Sequence, residues 1–186
     1  MTLRLNGSTS GYTEIDAPAV AGSNTLVLPG GNGTNGQVLT TNGSGALSWA
    51  APGKILQVVM GTTTSRATIT SATFTNTNLS VTITPTSASN KVLLYATESI
   101  YVEVAASAGY IDIARGTTNL SGVSNGFISC TSNTDRFFPA AVVYLDSPNT
   151  TSATTYTLRG RRASASGSVL FGDTTKGVII AMEVAS

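Results

Sequence analysis

The chain has 186 residues, a formal net charge of +1 and only 10% charged residues. This near-neutral balance argues against nucleic-acid binding, which needs clustered Lys and Arg side chains. The hydrophobic content of 41% is that of a globular protein, and no run approaches the roughly 18 apolar residues of a membrane span. We therefore expect no nucleic-acid partner and no membrane insertion.

The residue types that the chain lacks limit its chemistry. It has no histidine, which excludes Ser-His and Cys-His nucleophile pairs and His-ligated metals. Its single cysteine, Cys130, cannot form an intrachain disulfide, and we expect it to be a small buried core residue. No apolar leader follows Met1, so we expect synthesis in a cytoplasm.

The first fifty residues contain short apolar bursts separated by Gly, Asn, Ser and Thr. So few large side chains do not offset the conformational entropy of ordering fifty residues. The segment is therefore either disordered or ordered by other chains, and the regular spacing of the bursts favours the second. The large apolar residues are Leu3, Leu5, Tyr12, Ile15, Val20, Leu26, Val27, Leu28, Val38, Leu39, Leu47 and Trp49.

Three Asn-Gly pairs, at 32–33, 35–36 and 42–43, punctuate this segment. Asn-Gly is typical of type I′ hairpin turns, so the runs TLVL, QVLTT and ALSW are predicted to be short strands. Strands of four or five residues do not form a stable isolated sheet. Such strands would be stable if three copies of the chain wrapped around one axis and shared a core.

From Ile55 onward the pattern changes to about ten strand candidates at spacings of roughly 8–12 residues, which is typical of sandwiches and barrels. In the run SIYVEVA, alternation places Ile100, Val102 and Val104 on one face. Tyr156 and Leu158 share one face of a later strand in the same way. A short Pro-Gly joint at 51–53 separates the two halves of the chain.

Two later runs carry positional information. GVIIAMEV at 177–184 is almost continuously apolar, which predicts a strand buried on both faces. Pro139 lies inside RFFPAAVVYLD, which predicts an edge strand or a bulge there.

The run NTLVLPGGNGTNGQVLTTNGSGALSWAAPG, residues 24–53, resembles a module of phage tail-fibre and virion-fibre proteins with the pattern TLPxxxGTxGQVLxTxGxGxLSW. It departs from that pattern where the usual TLTLP reads TLVLP and where Gly30 and Gly31 replace bulkier residues. The matching positions are Thr25, Leu28, Pro29, Gly33, Thr34, Gly36, Gln37, Val38, Leu39, Thr41, Gly43, Gly45, Leu47, Ser48 and Trp49.

Residues 54–186 look like the terminal domain that often follows this module in phages of aquatic bacteria, in runs such as KILQVV and LSVTITPTSASNKVLLYA. Their layout is loosely similar to the trimeric jelly rolls of the complement and tumour-necrosis-factor type, a likeness of fold alone. The resemblance implies an all-β chain. Residues 1–53 would form an extended, intertwined module for attachment and trimerisation, and 54–186 an antiparallel jelly-roll-like β-sandwich tip.

The function implied by this resemblance is that of a non-enzymatic, homotrimeric phage virion fibre subunit. Its N-terminal module would attach to other virion proteins, and its C-terminal loops would bind a host surface glycan or protein. One alternative is a structural head, collar or adaptor fibre that contacts only virion proteins. A third possibility is an enzyme that degrades the host envelope. We expect localisation in the virion and no cofactor.

The candidate residues follow from these expectations. Trp49 is expected to fill a shared trimer core, or else to stack on a sugar. The arginines at 159–162 match anionic sugars or phosphates, or they protect a strand edge. The trimer-core candidates are Leu26, Leu28, Val38, Leu39, Leu47 and Trp49. The receptor-contact candidates are Asn119, Asn125, Asn133, Asp135, Arg136, Arg159, Arg161 and Arg162.

The acidic residues offer no clear catalytic pair. Glu14 and Asp16 alternate on what is expected to be a solvated strand face. Glu103 and Asp112 are candidates to oppose each other across a hairpin. Like charges directly opposite destabilise a hairpin, so either the register separates them or a cation such as Ca²⁺ bridges them. No catalytic residue and no metal ligand is assigned.

Overall fold

The structure is a computed structural model that describes residues 3–20, 22–50, 53–172 and 175–186. It is all-β, and its described residues contain one short 3₁₀ turn, Val104–Ala106. The chain forms two compact units, Met1–Pro52 and Gly53–Ser186.

The N-terminal unit contains two small antiparallel hairpins. Strand β1 (Leu3–Asn6) pairs with β2 (Tyr12–Ile15), and β3 (Val38–Thr41) pairs with β4 (Leu47–Ala50). The predicted runs QVLTT and ALSW are therefore strands. TLVL is not, because it contributes only a single bridge between Val27 and Ala46.

The Asn-Gly turns of this unit differ from the predicted type. Gly33, Gly36 and Gly43 have φ values of +69°, +87° and +81°. The asparagines that precede them are not among the described residues with positive φ. A type I′ turn needs positive φ at both central residues, so that turn type is wrong and only the glycine takes the left-handed conformation.

The C-terminal unit is built from eleven strands among the residues that the structure describes. The strands alternate in direction, and every pairing between them is antiparallel. They are β5 (Ile55–Thr63), β6 (Ala67–Ile69), β7 (Thr75–Ile83), β8 (Lys91–Val102), β9 (Ala108–Arg115), β10 (Thr118–Asn119), β11 (Ile128–Thr131), β12 (Arg136–Asp146), β13 (Thr154–Arg162), β14 (Val169–Phe171) and β15 (Gly177–Val184).

These strands form two sheets packed as a sandwich. In the first sheet the order is β5–β15–β8–β12. At the Val102 end of β8, β14 pairs with β8 and β6 pairs with β14. In the second sheet the order is β7–β13–β9, with β10 and β11 on the other edge of β9. Successive strands mostly switch sheets, as in a jelly roll. The predicted antiparallel all-β sandwich is confirmed.

The core lies between the two sheets because each strand turns every second side chain inward. Tyr156 and Leu158 of β13 are buried, as the alternation predicts. Cys130 on β11 is also buried in this core, as predicted. The largest fully buried apolar side chains are Tyr156, Phe171, Leu79, Ile83, Leu94, Ile100, Ile111, Ile113, Leu158 and Ile179.

Three strand predictions can be compared with this packing. Pro139 does lie on an edge strand, since β12 pairs only with β8. Val104 is 50% exposed rather than buried, because β8 ends at Val102 and the chain turns there. The run Gly177–Val184 is buried only on its inner face, and its outward side chains are half-exposed in this chain.

Glu103 and Asp112 do not oppose each other across a hairpin, and the fold separates the two acids. Glu103 lies beyond the end of β8, and Asp112 lies on β9 in the other sheet. Glu103 accepts a hydrogen bond from the backbone N–H of Ser168, at 2.7 Å. Asp112 accepts hydrogen bonds from Ser121 and faces Arg159 of the neighbouring strand. No bridging cation is needed, because the chain reverses into the second sheet between the two acids.

A glycine provides a direct test of the sandwich packing. A Cβ atom at Gly160 would overlap the ring of Phe171, which is fully buried between the sheets. We expect Gly160→Ala to lower the free energy of unfolding by about 1–3 kcal/mol, the typical cost of overpacking a core. Urea unfolding followed by circular dichroism measures this change.

The matched control is Gly30→Ala, where an added Cβ meets nothing within 4 Å. The unfolding midpoint of the sandwich should not move in this variant. Equal stability of Gly160→Ala and the parent protein would contradict the described packing between β13 and β14.

Candidate functional site

The six trimer-core candidates lie at the surface of the N-terminal unit. None of the described residues of this unit is buried. Leu47 is half-buried, and the exposed candidates are Leu26 (67%), Leu28 (72%), Val38 (42%), Leu39 (46%) and Trp49 (37%). The large side chains that should form a core therefore face outward within the single chain.

Trp49 is positioned partly by its own chain. Its indole N–H donates a hydrogen bond to the carbonyl oxygen of Gly31, at 2.7 Å. Its ring lies against Gly33, where an added Cβ would come within 2.7 Å of the ring atom Cγ. The positive φ and the missing side chain of Gly33 thus let the indole lie flat, while over a third of Trp49 is left uncovered.

The surface of the N-terminal unit is also concave. One open groove, of about 410 Å³, is lined by apolar side chains that include Leu3, Ile15, Pro18 and Leu26. This groove is wide enough for several apolar side chains from another chain.

Arg159 and Arg161 both use their guanidinium groups within the sandwich. Arg159 donates to the side-chain oxygen of Asn119 and to the carbonyl oxygen of Phe74, each at 2.7 Å. Arg161 donates to the carbonyl oxygen of Ser124 through two nitrogens, at 3.1 and 2.9 Å. It also stacks 4.0 Å from the ring centroid of Tyr110.

These contacts fasten the segment 117–126 to the second sheet. Arg161 also donates to the side-chain oxygen of Asn125, at 3.0 Å. Asp112 holds the middle of the segment by accepting from the hydroxyl of Ser121, at 2.5 Å. Arg162 reaches a different loop, where it donates to the carbonyl oxygen of Gly167 at 2.6 Å. The receptor-contact candidates Asn119, Asn125, Arg159, Arg161 and Arg162 thus all bind the chain itself.

The other three candidates, Asn133, Asp135 and Arg136, lie where β11 passes into β12. Arg136 pairs with Val102, at the opposite end of β8 from Lys91. This end of the sandwich is therefore far from Lys54, where the chain enters β5. All three residues are exposed. Asp135 accepts a hydrogen bond from the backbone N–H of Val104, at 2.7 Å.

Glu98 is a buried carboxyl group within the first sheet. It points into the sandwich from β8 and is only 4% exposed. Neither of its carboxylate oxygens has a hydrogen-bond partner among the residues that the structure describes. The backbone approaches it closely at Gly172 and Gly177, where a Cβ would contact the carboxylate. Burial raises the pKa of Glu98 from 4.5 to about 7.

Glu183 is a buried carboxyl group with the opposite behaviour. Burial by itself would raise its pKa, but hydrogen bonds from Asn90, Gln57 and Thr86 outweigh that effect and lower the pKa to about 2. The donors lie 2.6–2.8 Å from its oxygens. Glu183 therefore stabilises the fold above pH 4.5, and this contribution is lost as pH falls towards 2.

An ion pair links the two sheets at the end of the sandwich where the chain enters β5. Arg115 of β9 donates to both carboxylate oxygens of Asp146 on β12, at 2.9 and 2.8 Å. The hydroxyl of Tyr156 donates to the same carboxylate at 2.7 Å. Burial and the hydrogen bond to Asp146 raise the pKa of the Tyr156 hydroxyl above its usual range. These contacts tie the two sheets together.

The described acidic side chains do not form a metal-binding cluster. Within residues 3–20, 22–50, 53–172 and 175–186, no three Cys, Asp or Glu side chains are grouped to hold a metal ion. The same ranges contain no helix long and apolar enough to cross a membrane.

Comparison with known proteins gives no family for the chain. No protein-family model matches it, and no curated protein sequence does so either.

One surface was not predicted from the sequence: the outer face of the first sheet. Met60, Tyr95 and Val143 are apolar or aromatic and exposed on this face. The continuous apolar run at 177–184 was the signal for this surface, because it places apolar side chains on the outward side of the strand as well. From the sequence we expected the protein's own fold to bury both sides.

The raised pKa of Glu98 makes the stability of the sandwich depend on pH. The neutral form is favoured in the folded state, so the free energy of unfolding falls as pH rises from 4.5 to about 7. A shift of this size corresponds to about 3 kcal/mol. We expect Glu98→Gln to remove this decline, and urea unfolding at pH 4, 6 and 8 measures it.

Glu103→Gln is the control, since Glu103 is only partly buried and has a hydrogen-bond partner. This variant should keep the decline of the parent protein. Parallel stability profiles for Glu98→Gln and the parent protein between pH 4 and 8 would rule out a buried, unpartnered Glu98.

The fastening of segment 117–126 can be tested at Arg161. Lysine cannot donate through two nitrogens in the same plane or stack as a flat group. We expect Arg161→Lys to speed amide hydrogen exchange in residues 120–126 by about 10-fold, with exchange in β8 unchanged. Arg136→Lys, at an exposed guanidinium, should leave the exchange in this segment unchanged. Equal exchange in both variants would show that Arg161 does not hold the segment.

Proposed function

We propose that this chain is a non-enzymatic subunit of a phage virion fibre and that it acts as a homotrimer. Its N-terminal unit associates with identical copies and attaches to other virion proteins. Its sandwich unit binds a glycan or a protein on the host surface. The resemblance of residues 24–53 to virion-fibre modules motivates the proposal.

One observation carries the proposal: the N-terminal unit has large apolar side chains but no buried residue among those described. An isolated chain gains little from such a structure, because apolar surface that stays in water contributes no hydrophobic stabilisation. Exposed apolar surface of this extent is typical of an interaction site. Identical copies supply the missing cover most simply, since each has the same short strands and the same open groove.

The proposal for host binding rests on the end of the sandwich where β11 passes into β12. Asn133, Asp135 and Arg136 are exposed there, with an amide, a carboxylate and a guanidinium close together in the sequence. Such groups form hydrogen bonds with sugar hydroxyls or with a protein surface. In a trimer each weak contact is repeated three times, so the second and third contacts become effectively intramolecular.

A purely structural fibre is the second candidate, and one observation favours it. Arg159, Arg161 and Arg162 all bind their own chain, which reduces the cationic groups that are free to meet a host surface. Binding of labelled protein to host cells, with competition against infection, separates the two candidates. A structural fibre would neither bind the cells nor compete.

Self-association can be measured on the full-length chain by size-exclusion chromatography with light scattering. We expect a mass of three times 18.9 kDa. Leu39→Asp places a charge among the exposed apolar residues and should shift the protein towards the single-chain mass. Thr13→Asp, at an exposed polar position of the same unit, is the matched control. A parent protein of 18.9 kDa with an ordered N-terminal unit would refute the proposal.

A further inference from the structure

The outer face of the first sheet carries two continuous rows of apolar side chains. In one row Met60, Ile180, Tyr95 and Val143 lie side by side on four neighbouring strands. In the second row the corresponding residues are Val58, Met182, Leu93 and Leu145. Each row crosses the full width of the sheet from β5 to β12.

Most of these side chains are exposed to solvent in the single chain, and Leu93, Ile180 and Met182 are half-buried. Met60 is 62% exposed, Val143 is 61% exposed and Val58 is 59% exposed. Tyr95 and Leu145 are exposed as well, at 39% and 46%. Large contiguous apolar patches are rare on soluble monomers and mark interaction sites.

These two rows also lack charge. A third row, Thr62, Val178, Thr97 and Ala141, extends the apolar surface without adding a charged residue. Lys91, at the end of β8, lies beyond the second row and outside this surface. None of these twelve outward positions is Asp, Glu, Lys or Arg. Depletion of charge and enrichment in apolar residues are typical of the centre of an interface between identical subunits.

We propose that this face, the twelve outward residues of the three rows on β5, β15, β8 and β12, binds a second copy of this chain. The inference rests on the proposed self-association and adds a contact between sandwich units to it. A second copy is the fitting partner because it presents the same uncharged surface, so neither copy buries an unpaired charge. A partner with a charged surface would leave those charges without counterparts on this face.

The size of the face indicates how this contact is stabilised. Strands lie about 4.8 Å apart and rise about 3.4 Å per residue, so twelve positions on four strands cover about 400 Å². A standard interface buries about 800 Å² on each partner. The face by itself is therefore too small for a tight complex. It becomes an effective contact when the N-terminal units already hold the copies at high local concentration.

The two methionines on this face provide a direct readout of whether it is covered. Met60 and Met182 lie on adjacent strands, and hydrogen peroxide converts exposed methionine to its sulfoxide. In the assembled full-length protein we expect Met60 to oxidise at least about 10-fold more slowly than in the same protein unfolded in urea. Peptide mass spectrometry gives both rates, and light scattering on the same sample gives the assembly state.

A charge on the face should remove the protection. Val143→Lys introduces a lysine next to Tyr95 and should bring the oxidation rate of Met60 close to the unprotected rate. Ser80→Lys, at an exposed position of β7 on the other sheet, should keep the protection seen in the parent protein. Circular dichroism checks the fold of each variant. The comparison of folded with unfolded parent protein does not depend on either variant.

The outcomes separate this inference from the proposed function. A trimeric mass with rapid oxidation of Met60 would leave the homotrimer intact and overturn the contact between sandwich units. A single-chain mass would refute the homotrimer and this inference together. Protection of Met60 that appears only in the intact virion would assign the face to another virion protein and overturn the second copy as its partner.

Discussion

The longer strands of this protein have an apolar face that needs a second layer to cover it. A β-strand directs alternate side chains to opposite sides, so a single sheet leaves one set of apolar groups in water. In the C-terminal unit the second layer is another sheet, and the core between them contains Tyr156, Phe171 and Leu79. In the N-terminal unit the chain supplies no second layer to the described residues, and Leu26 and Leu28 stay exposed.

The outer faces of the two sheets of the sandwich differ for the same reason. On the second sheet, the segment 117–126 lies against Asp112, Arg159 and Arg161, which hold it through hydrogen bonds. The charged groups on this part of the sheet therefore have partners within the chain. The first sheet has no such segment over Met60 and Tyr95. Three neighbouring rows of its outer face contain no charged residue, which suits a cover that comes from outside the chain.

Sequence patterns correctly predicted several residues of the sandwich core and one edge strand. These predictions depend on effects within a strand or on its immediate neighbours: the spacing of Tyr156 and Leu158, the small size of Cys130 and the ring of Pro139. Their consequences are therefore visible in a single segment. The errors arose where the outcome depends on distant segments. Glu103 and Asp112 were expected to share a hairpin, but the chain crosses to the second sheet between them.

The sequence by itself determined the all-β class, the strand periodicity and the shortage of apolar groups in the first fifty residues, because these follow from composition and spacing. The tertiary structure alone decided which strands are neighbours, and so which outward side chains form one face. It also decided that the arginines at 159–162 bind their own chain and that Glu98 is buried with no hydrogen-bond partner among the residues that the structure describes. The physical reason is that strand pairing joins residues far apart in the chain, and no local pattern specifies that pairing.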